Sequence, residues 1–125
     1  MKKTLLIVDD EPSIRLILEH YFGADYTVVL KSNGLEAMAW LEAGHSPDAI
    51  VADYDMPVMD GPAFIRQIRA SRAHRDVGLI ILSGKDNTSN KILCLKLGAD
   101  DYLVKPFNPE ELSLRILNLL NRIRI

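Results

Sequence analysis

The chain has 125 residues, the length of one ordinary domain with one core, and 48% of them are hydrophobic and 26% charged, which excludes a disordered or low-complexity protein. A net charge of −2 gives no global drive toward nucleic acid or anionic membrane, so no direct contact with either is expected. Cys94 is the only cysteine, which excludes an internal disulfide and any Cys/His metal spacing and favours a reducing, cytoplasmic location.

The opening Met-Lys-Lys-Thr-Leu-Leu-Ile-Val imitates a signal peptide, but the apolar run Leu5–Val8 stops at Asp9-Asp10-Glu11, too short for a signal core. It reads as a buried strand. A first helix is predicted from about Pro12, with Ile14, Ile17, Leu18 and Tyr21 at helical spacing. Thr27–Leu30 is a weaker strand, and Ala37, Trp40 and Leu41 mark a helix after Asn33-Gly34. Ala49–Ala52 is an unbroken apolar run ending at Asp53-Tyr54-Asp55. Phe64, Ile65 and Ile68 follow Gly61 with helical spacing. Leu79–Leu82 is a fourth strand, ending at Ser83-Gly84. Leu93, Cys94 and Leu97 then run to Gly98, a good helix stop. Tyr102–Val104 is a fifth, edge-like strand followed by Lys105-Pro106.

The last helix has a start written into it: Asn108 as N-cap, Pro109 at the first position, Glu111 placed to close a capping box. Its core stripe runs through Leu112, Ile116, Leu120 and Ile123. Leu114, Leu117 and Leu119 add apolar area that either widens core contact or forms a partner surface.

Strand and helix alternate five times. The predicted class is α/β: one doubly wound (βα)5 domain over residues 1–125, with a five-stranded parallel sheet in the flavodoxin-like order 2-1-3-4-5. Unbroken apolar runs suit strands covered on both faces. No apolar stretch approaches membrane-spanning length.

Ligands of such folds bind beyond the carboxyl ends of the strands. There the chain places Asp9, Asp10 and Glu11, then Asp53 and Asp55, then Ser83 and Gly84, then Lys105 and Pro106. Two carboxylates about 4–5 Å apart repel by roughly 3–4 kcal/mol at an effective dielectric near 20. Asp9, Asp10 and Asp53 therefore need cations: Lys105 supplies one charge and a bound Mg²⁺ two more. A carboxylate in that setting can attack phosphorus and form an aspartyl phosphate. Ser83 is placed to hydrogen-bond a phosphoryl oxygen, and Gly84 to leave room for it.

Read together, LLIVDDEPSIR, IVADYDMPVMDG, LIILSGKD and GADDYLVKPF resemble, in order, the motifs of the response-regulator receiver family of two-component signalling. The resemblance runs from Lys3 to about Arg122. It implies a signalling phosphoacceptor rather than a turnover enzyme, with only self-catalysed phosphoryl transfer and slow autodephosphorylation. It makes Asp53 the phosphorylated residue, Asp10 a direct metal ligand, Asp9 a ligand through water, and Asp55 the donor of a backbone carbonyl to the metal. Ser83 and Tyr102 match the switch residues, Lys105 the phosphate-pairing lysine, and Pro106 a cis-proline. Gly84 joins the phosphate-binding set. The cofactor implied is Mg²⁺ or Mn²⁺, and the partner a histidine kinase or histidine phosphotransfer protein. Asp55 and Lys85 occupy positions where side chains help or block attacking water. The last two helices and the strand between them form the expected output face. There Lys91, Asp100, Asp101 and Arg115 resemble the subgroup that forms homodimers through charge pairs.

Blander readings compete. Asp9 and Asp10 would then only cap the first helix, and Asp60 is a turn residue. His20, His45 and His74 are scattered and take no role. Arg66, Arg69, Arg72 and Arg75 read as a solvated face. The Asp53-Tyr54-Asp55 triplet loosely imitates a phosphatase DxD, but it follows the third strand where that chemistry needs the first.

Overall fold

Each apolar run becomes one strand of a single parallel sheet in the computed structural model, which describes residues 1–84 and 88–123. The elements are β1 (Lys3–Val8), α1 (Pro12–Phe22), β2 (Tyr26–Lys31), α2 (Gly34–Glu42), β3 (Ala49–Asp53), α3 (Gly61–Ala70), β4 (Gly78–Ser83), α4 (Thr88–Leu97), β5 (Asp101–Val104) and α5 (Pro109–Ile123). The strand order is β2-β1-β3-β4-β5, the flavodoxin-like order expected. Strands extend one or two residues beyond the apolar runs, because the ladder continues where side chains turn polar. Asp53 pairs with Leu82 and Ser83 with Val104 at the carboxyl ends.

Side-chain alternation divides the core into two layers. Leu6, Val8, Ile50, Ala52, Leu79 and Ile81 face α2, α3 and α4, where Phe64, Ile65 and Ile68 are fully buried. Leu5, Ile7, Val51, Ile80 and Leu82 face α1 and α5, packing on Leu18, Phe22, Leu112 and Ile116.

The helices differ in places from their predicted faces. On α1, Ile17 and Tyr21 are exposed, and Phe22 takes the inner position beside Leu18. Trp40 is half-buried and stacks on His45 at 4.5 Å. On α5, Leu119 joins the core while Leu114 and Leu117 remain outside. The side chain of Ile123 lies outside the described residues.

Helix ends show why each element starts where it does. Two side chains tie the start of α2: Asn33 Oδ1 accepts the Glu36 N–H at 2.9 Å as the N-cap, and Glu36 Oε1 accepts from the N–H and Oγ–H of Ser32, the residue before it. Asp60, read as a turn residue, is the N-cap of α3 and accepts the Ala63 N–H at 2.9 Å. Asn108 caps α5 through the Glu110 N–H at 2.8 Å, while the Glu111 carboxylate pairs with Arg115 at 3.1 Å. Glu111 thus contributes an i,i+4 ion pair in place of the predicted box. Gly98 ends α4 with φ +115°, a backbone state that suits glycine. Among the described residues no helix is long and apolar enough to cross a membrane.

Candidate functional site

The parallel sheet delivers its acids to one rim. Asp9 immediately follows β1 and is 1% exposed, Asp53 ends β3 and is 4% exposed, and Asp10 lies beside them in solvent. Each of the three offers a carboxylate oxygen within 4.8 Å of the others. Lys105, just past β5, sets its Nζ 3.1 Å from Asp9 Oδ2 and 3.2 Å from Asp53 Oδ1. The Lys105 N–H also donates to the Ser83 carbonyl at 2.7 Å, continuing the ladder, and the Lys105–Pro106 peptide is cis.

Asp9 is a fixed part of this frame. Its Oδ1 accepts the Glu11 N–H at 2.9 Å, and its carbonyl accepts from Arg15 Nη1 at 2.7 Å. The N-cap of α1 is Glu11, without a side-chain cap, so neither aspartate serves as the ordinary helix cap. Arg15 is a second support that the sequence did not single out.

The electrostatics follow from three clustered acids, two of which Lys105 bridges. Burial, then the Asp9 carboxylate, push the Asp53 carboxyl up to about 6, against the pull of Lys105. For Lys105, burial acts downward, but the Asp53 and Asp9 charges outweigh it and its pKa is raised. Repulsion among these acids is thus only partly relieved by protein. Oxygen donors, excess negative charge and two buried carboxylates make a donor set that fits a hard divalent cation. Asp9, Asp10 and Asp53 are the side chains that could hold it.

The other predicted residues fall as follows. Ser83 ends β4 and is fully buried; Gly84 and Asp55 are exposed. A Cβ on Gly84 would meet nothing within 4 Å among the described residues, so the space beside it is open. Tyr102 is 6% exposed, turned into the α2–α4 layer with Met56 and Cys94. Lys85 lies outside the described residues.

The loop from Tyr54 to Asp60 wraps the rim and is tied at both ends. Tyr54 N–H donates to the Leu82 carbonyl at 2.8 Å, and Gly61 N–H to the Tyr54 carbonyl at 2.7 Å. Glycine is required at 61, since a Cβ there would lie 2.9 Å from Tyr54 Cα. Met56 is buried and Met59 packs on the same layer. Between them Val58 has φ +73° and is 80% exposed, with Met59 N–H donating to the Pro57 carbonyl at 2.8 Å. A β-branched residue in that conformation is strained by about 1–3 kcal/mol.

Arg69, read from the sequence as part of a solvated face, is instead a clasp. It donates to the carbonyls of Gly98 (2.9 Å), Arg75 (3.0 Å) and Val77 (2.6 Å), and to Asp100 Oδ2 (3.1 Å). Asp100 Oδ2 also accepts the Leu79 N–H at 2.9 Å. Of the charges read as dimer contacts, Asp101 pairs with Arg115 at 3.2 Å within one chain, and Asp100 with Arg122 at 3.4 Å.

With this geometry in view, comparisons with known proteins are consistent in kind. The model of the response regulator receiver domain matches residues 5–117. The alkaline phosphatase synthesis transcriptional regulatory protein PhoP of Bacillus subtilis is 38% identical over 126 residues, covering 100% of this chain and 51% of that protein. This chain spans about half the length of the curated relatives it matches. Among solved structures, the receiver domain of a sensor histidine kinase from Pseudomonas aeruginosa PAO1 superposes with a TM-score of 0.88 at 31% identity, covering 97% of this chain and 99% of that one. That crystal structure holds a magnesium ion coordinated in its active site cleft. A Francisella response regulator receiver domain gives a TM-score of 0.89 at 34% identity, covering 98% of this chain and 100% of that one.

Proposed function

This chain belongs to the response-regulator receiver family, and from that premise we propose that Asp53 accepts a phosphoryl group from a phosphohistidine on a histidine kinase or histidine phosphotransfer protein. One observation carries the reading: a buried carboxylate ends the central strand, with two further acids within 4.8 Å and a lysine at 3.2 Å. In the transfer, an Asp53 oxygen forms the new P–O bond, the donor's P–N bond breaks, and the imidazole leaves with the electron pair. Asp10, Asp53 and the Asp55 carbonyl would hold Mg²⁺ (or Mn²⁺), with Asp9 reaching it through water. The ion supplies positive charge that offsets repulsion between the acids and the incoming phosphoryl oxygens. The magnesium in the Pseudomonas receiver supports this assignment.

The remaining residues orient and read out the group. Lys105 moves from bridging two acids to pairing with a phosphoryl oxygen, a charge-assisted hydrogen bond. Ser83 and the backbone at Gly84 supply further donors, and the peptide at Pro106 sets the course of the chain after Lys105. Tyr102, inward here, reports the switch to the face of α4, β5 and α5 by favouring one of two conformations. That face then controls an output partner or a homodimer. We place the protein in the cytoplasm and take residues 1–125 as one receiver unit. Return to the resting state is slow autodephosphorylation, with Asp55 at the rim where attacking water arrives.

The donor has a surface to meet. Glu11, Ile14, Ile17, Phe107 and Pro109 line an open, mainly apolar groove beside Lys105, on the α1 and α5 side of the acids. The decisive experiment is intact-mass analysis after acetyl phosphate and Mg²⁺. A single phosphoryl adduct in wild type and none in Asp53→Asn is expected; an equal adduct in both, or none in wild type, refutes the assignment. Sedimentation with a phosphate mimic tests the homodimer, and a strict monomer at high concentration counts against it.

A further inference from the structure

The loops that lead into β3 and β4 meet at the end of the sheet opposite Asp53. A cleft of about 410 Å³ opens there, between these loops and the last turns of α2 and α3. Clefts that hold small molecules measure about 300–1,000 Å³. Met38 and Leu41 of α2, both buried, give it an apolar wall. Glu42, Ser46, Ser71 and His74 bring polar groups to it.

His74, which the sequence left without a role, is the unusual member. It is 7% exposed, as buried as the core residue Met38. Among the described residues its ring makes no hydrogen bond or ion pair. Every fully buried side-chain nitrogen or oxygen there does have a partner. The ring nitrogens are therefore not sealed in the core; they open on the cleft that His74 lines. A polar side chain taken this far from water without a partner gives up hydration and gains nothing within the chain.

Both walls are held in place. On one side Gly44, at φ +105°, donates its N–H to the Leu41 carbonyl at 3.1 Å, and His45 stacks on Trp40. The same loop ends at Asp48, whose N–H donates to the Thr4 carbonyl at 2.8 Å and whose Oδ2 accepts the Thr4 N–H at 2.7 Å. On the other side the His74 N–H donates to the Ser71 carbonyl at 3.2 Å, and the His74 carbonyl accepts the Val77 N–H at 3.1 Å. Arg69 fastens that turn from outside through the Arg75 and Val77 carbonyls.

We propose that this cleft binds a small uncharged molecule with an apolar body and a hydroxyl or amide head, which hydrogen-bonds the His74 ring. A neutral imidazole offers one donor and one acceptor, the pair that such a head answers. Met38 and Leu41 take the apolar body. Charge is selected against from both directions. Glu42 is the one charged group among the described residues of the lining, and it repels an anion. A cation would leave water for an apolar wall, with only that exposed, screened carboxylate in return. The site lies at the far end of β3 and β4 and is independent of phosphoryl transfer to Asp53.

The test is an NMR titration of the isotope-labelled chain with probes that share a benzene ring and differ in charge. Benzyl alcohol and benzamide are uncharged, benzoate is an anion and benzylamine a cation at neutral pH. The uncharged probes shift the Ser46, Ser71 and His74 amides saturably, and the His74 ring signals follow the same curve. Benzoate and benzylamine bind about tenfold more weakly or worse. His74→Phe, which keeps a ring without nitrogens, weakens benzyl alcohol about tenfold or more. Glu42→Gln leaves benzyl alcohol unchanged and tightens benzoate. The inference is overturned by no saturable shift at these amides, by charged probes that bind as tightly as uncharged ones, by full affinity in His74→Phe, or by benzoate binding that Glu42→Gln does not improve. Should His74→Phe fail to fold, the wild-type ring signals decide: if they stay fixed while the amides saturate, the imidazole is not the partner and the inference falls.

Discussion

Replacing Asp53 with asparagine should stabilise the metal-free protein at neutral pH, although it removes an ion pair. In the folded chain burial and the Asp9 charge raise the Asp53 carboxyl from 3.8 to about 6. A carboxyl that holds its proton more tightly when folded makes folding less favourable once it ionises. The penalty is absent below pH 3.8, where both states are protonated, and is complete once pH has risen through about 6. The difference corresponds to about 3 kcal/mol. For a chain of 125 residues that is about 10 °C in melting temperature. Asparagine keeps the shape without the charge, so Asp53→Asn should melt about 10 °C above wild type near neutral pH in chelator. The two curves should converge as pH falls toward about 4. Millimolar Mg²⁺ should then raise wild type more than the variant, since an ion that binds only the folded state adds RT ln(1 + [L]/Kd). A variant equal to or less stable than wild type in chelator, with the same pH slope, refutes the electrostatic account of the site.

Lys105→Met removes the cation that bridges Asp9 and Asp53. Urea unfolding near neutral pH should show a loss of about 3 kcal/mol, shrinking as pH falls and Asp53 takes a proton, and labelling by acetyl phosphate should drop with it. Gly61→Ala forces a Cβ against Tyr54 Cα, a backbone neighbour 2.9 Å away. It should cost about 1–3 kcal/mol in chemical denaturation and slow labelling at Asp53 by displacing the loop that starts there. Arg69→Met keeps the aliphatic stem but leaves the Val77 and Gly98 carbonyls and Asp100 short of a donor. Denaturation should report about 2–4 kcal/mol lost, and hydrogen exchange should quicken first at the end of α4.

Much of the fold was legible because a parallel sheet covered on both faces leaves its strands little chemical choice. Leu5–Val8, Ala49–Ala52 and Leu79–Leu82 are apolar throughout, and their two-residue alternation decides the layer, not the composition. The acids could be found for the same reason: an aspartate directly after such a run has to stand at the strand's carboxyl end. What escaped depends on how neighbours pack. Ile17 and Tyr21 have helical spacing, yet the rotation of α1 against the sheet gives the inner place to Phe22. Arg69 resembles the arginines around it until α4 delivers the Gly98 carbonyl and β5 delivers Asp100. The strain at Val58 lies in a φ value that Met56 and Met59 impose jointly from the core. Gly61 and Gly84 look alike in sequence, and only the approach of Tyr54 separates the indispensable glycine from the one with open space.

On the α4, β5 and α5 face, Asp100, Asp101 and Arg115 are already paired inside one molecule, while Lys91 makes no ion pair among the described residues. Asp101 and Glu111 share Arg115, and Asp100 is divided among Leu79 N–H, Arg69 and Arg122. A second copy offering the same arginines would exchange one such bond for its equal, and Lys91 alone of these four charges would bring a new one. Salt should therefore change the tightness of such an association little. The charged rows would choose the partner and its alignment, while exposed Ile92 and Leu95 on α4 would set how long it stays.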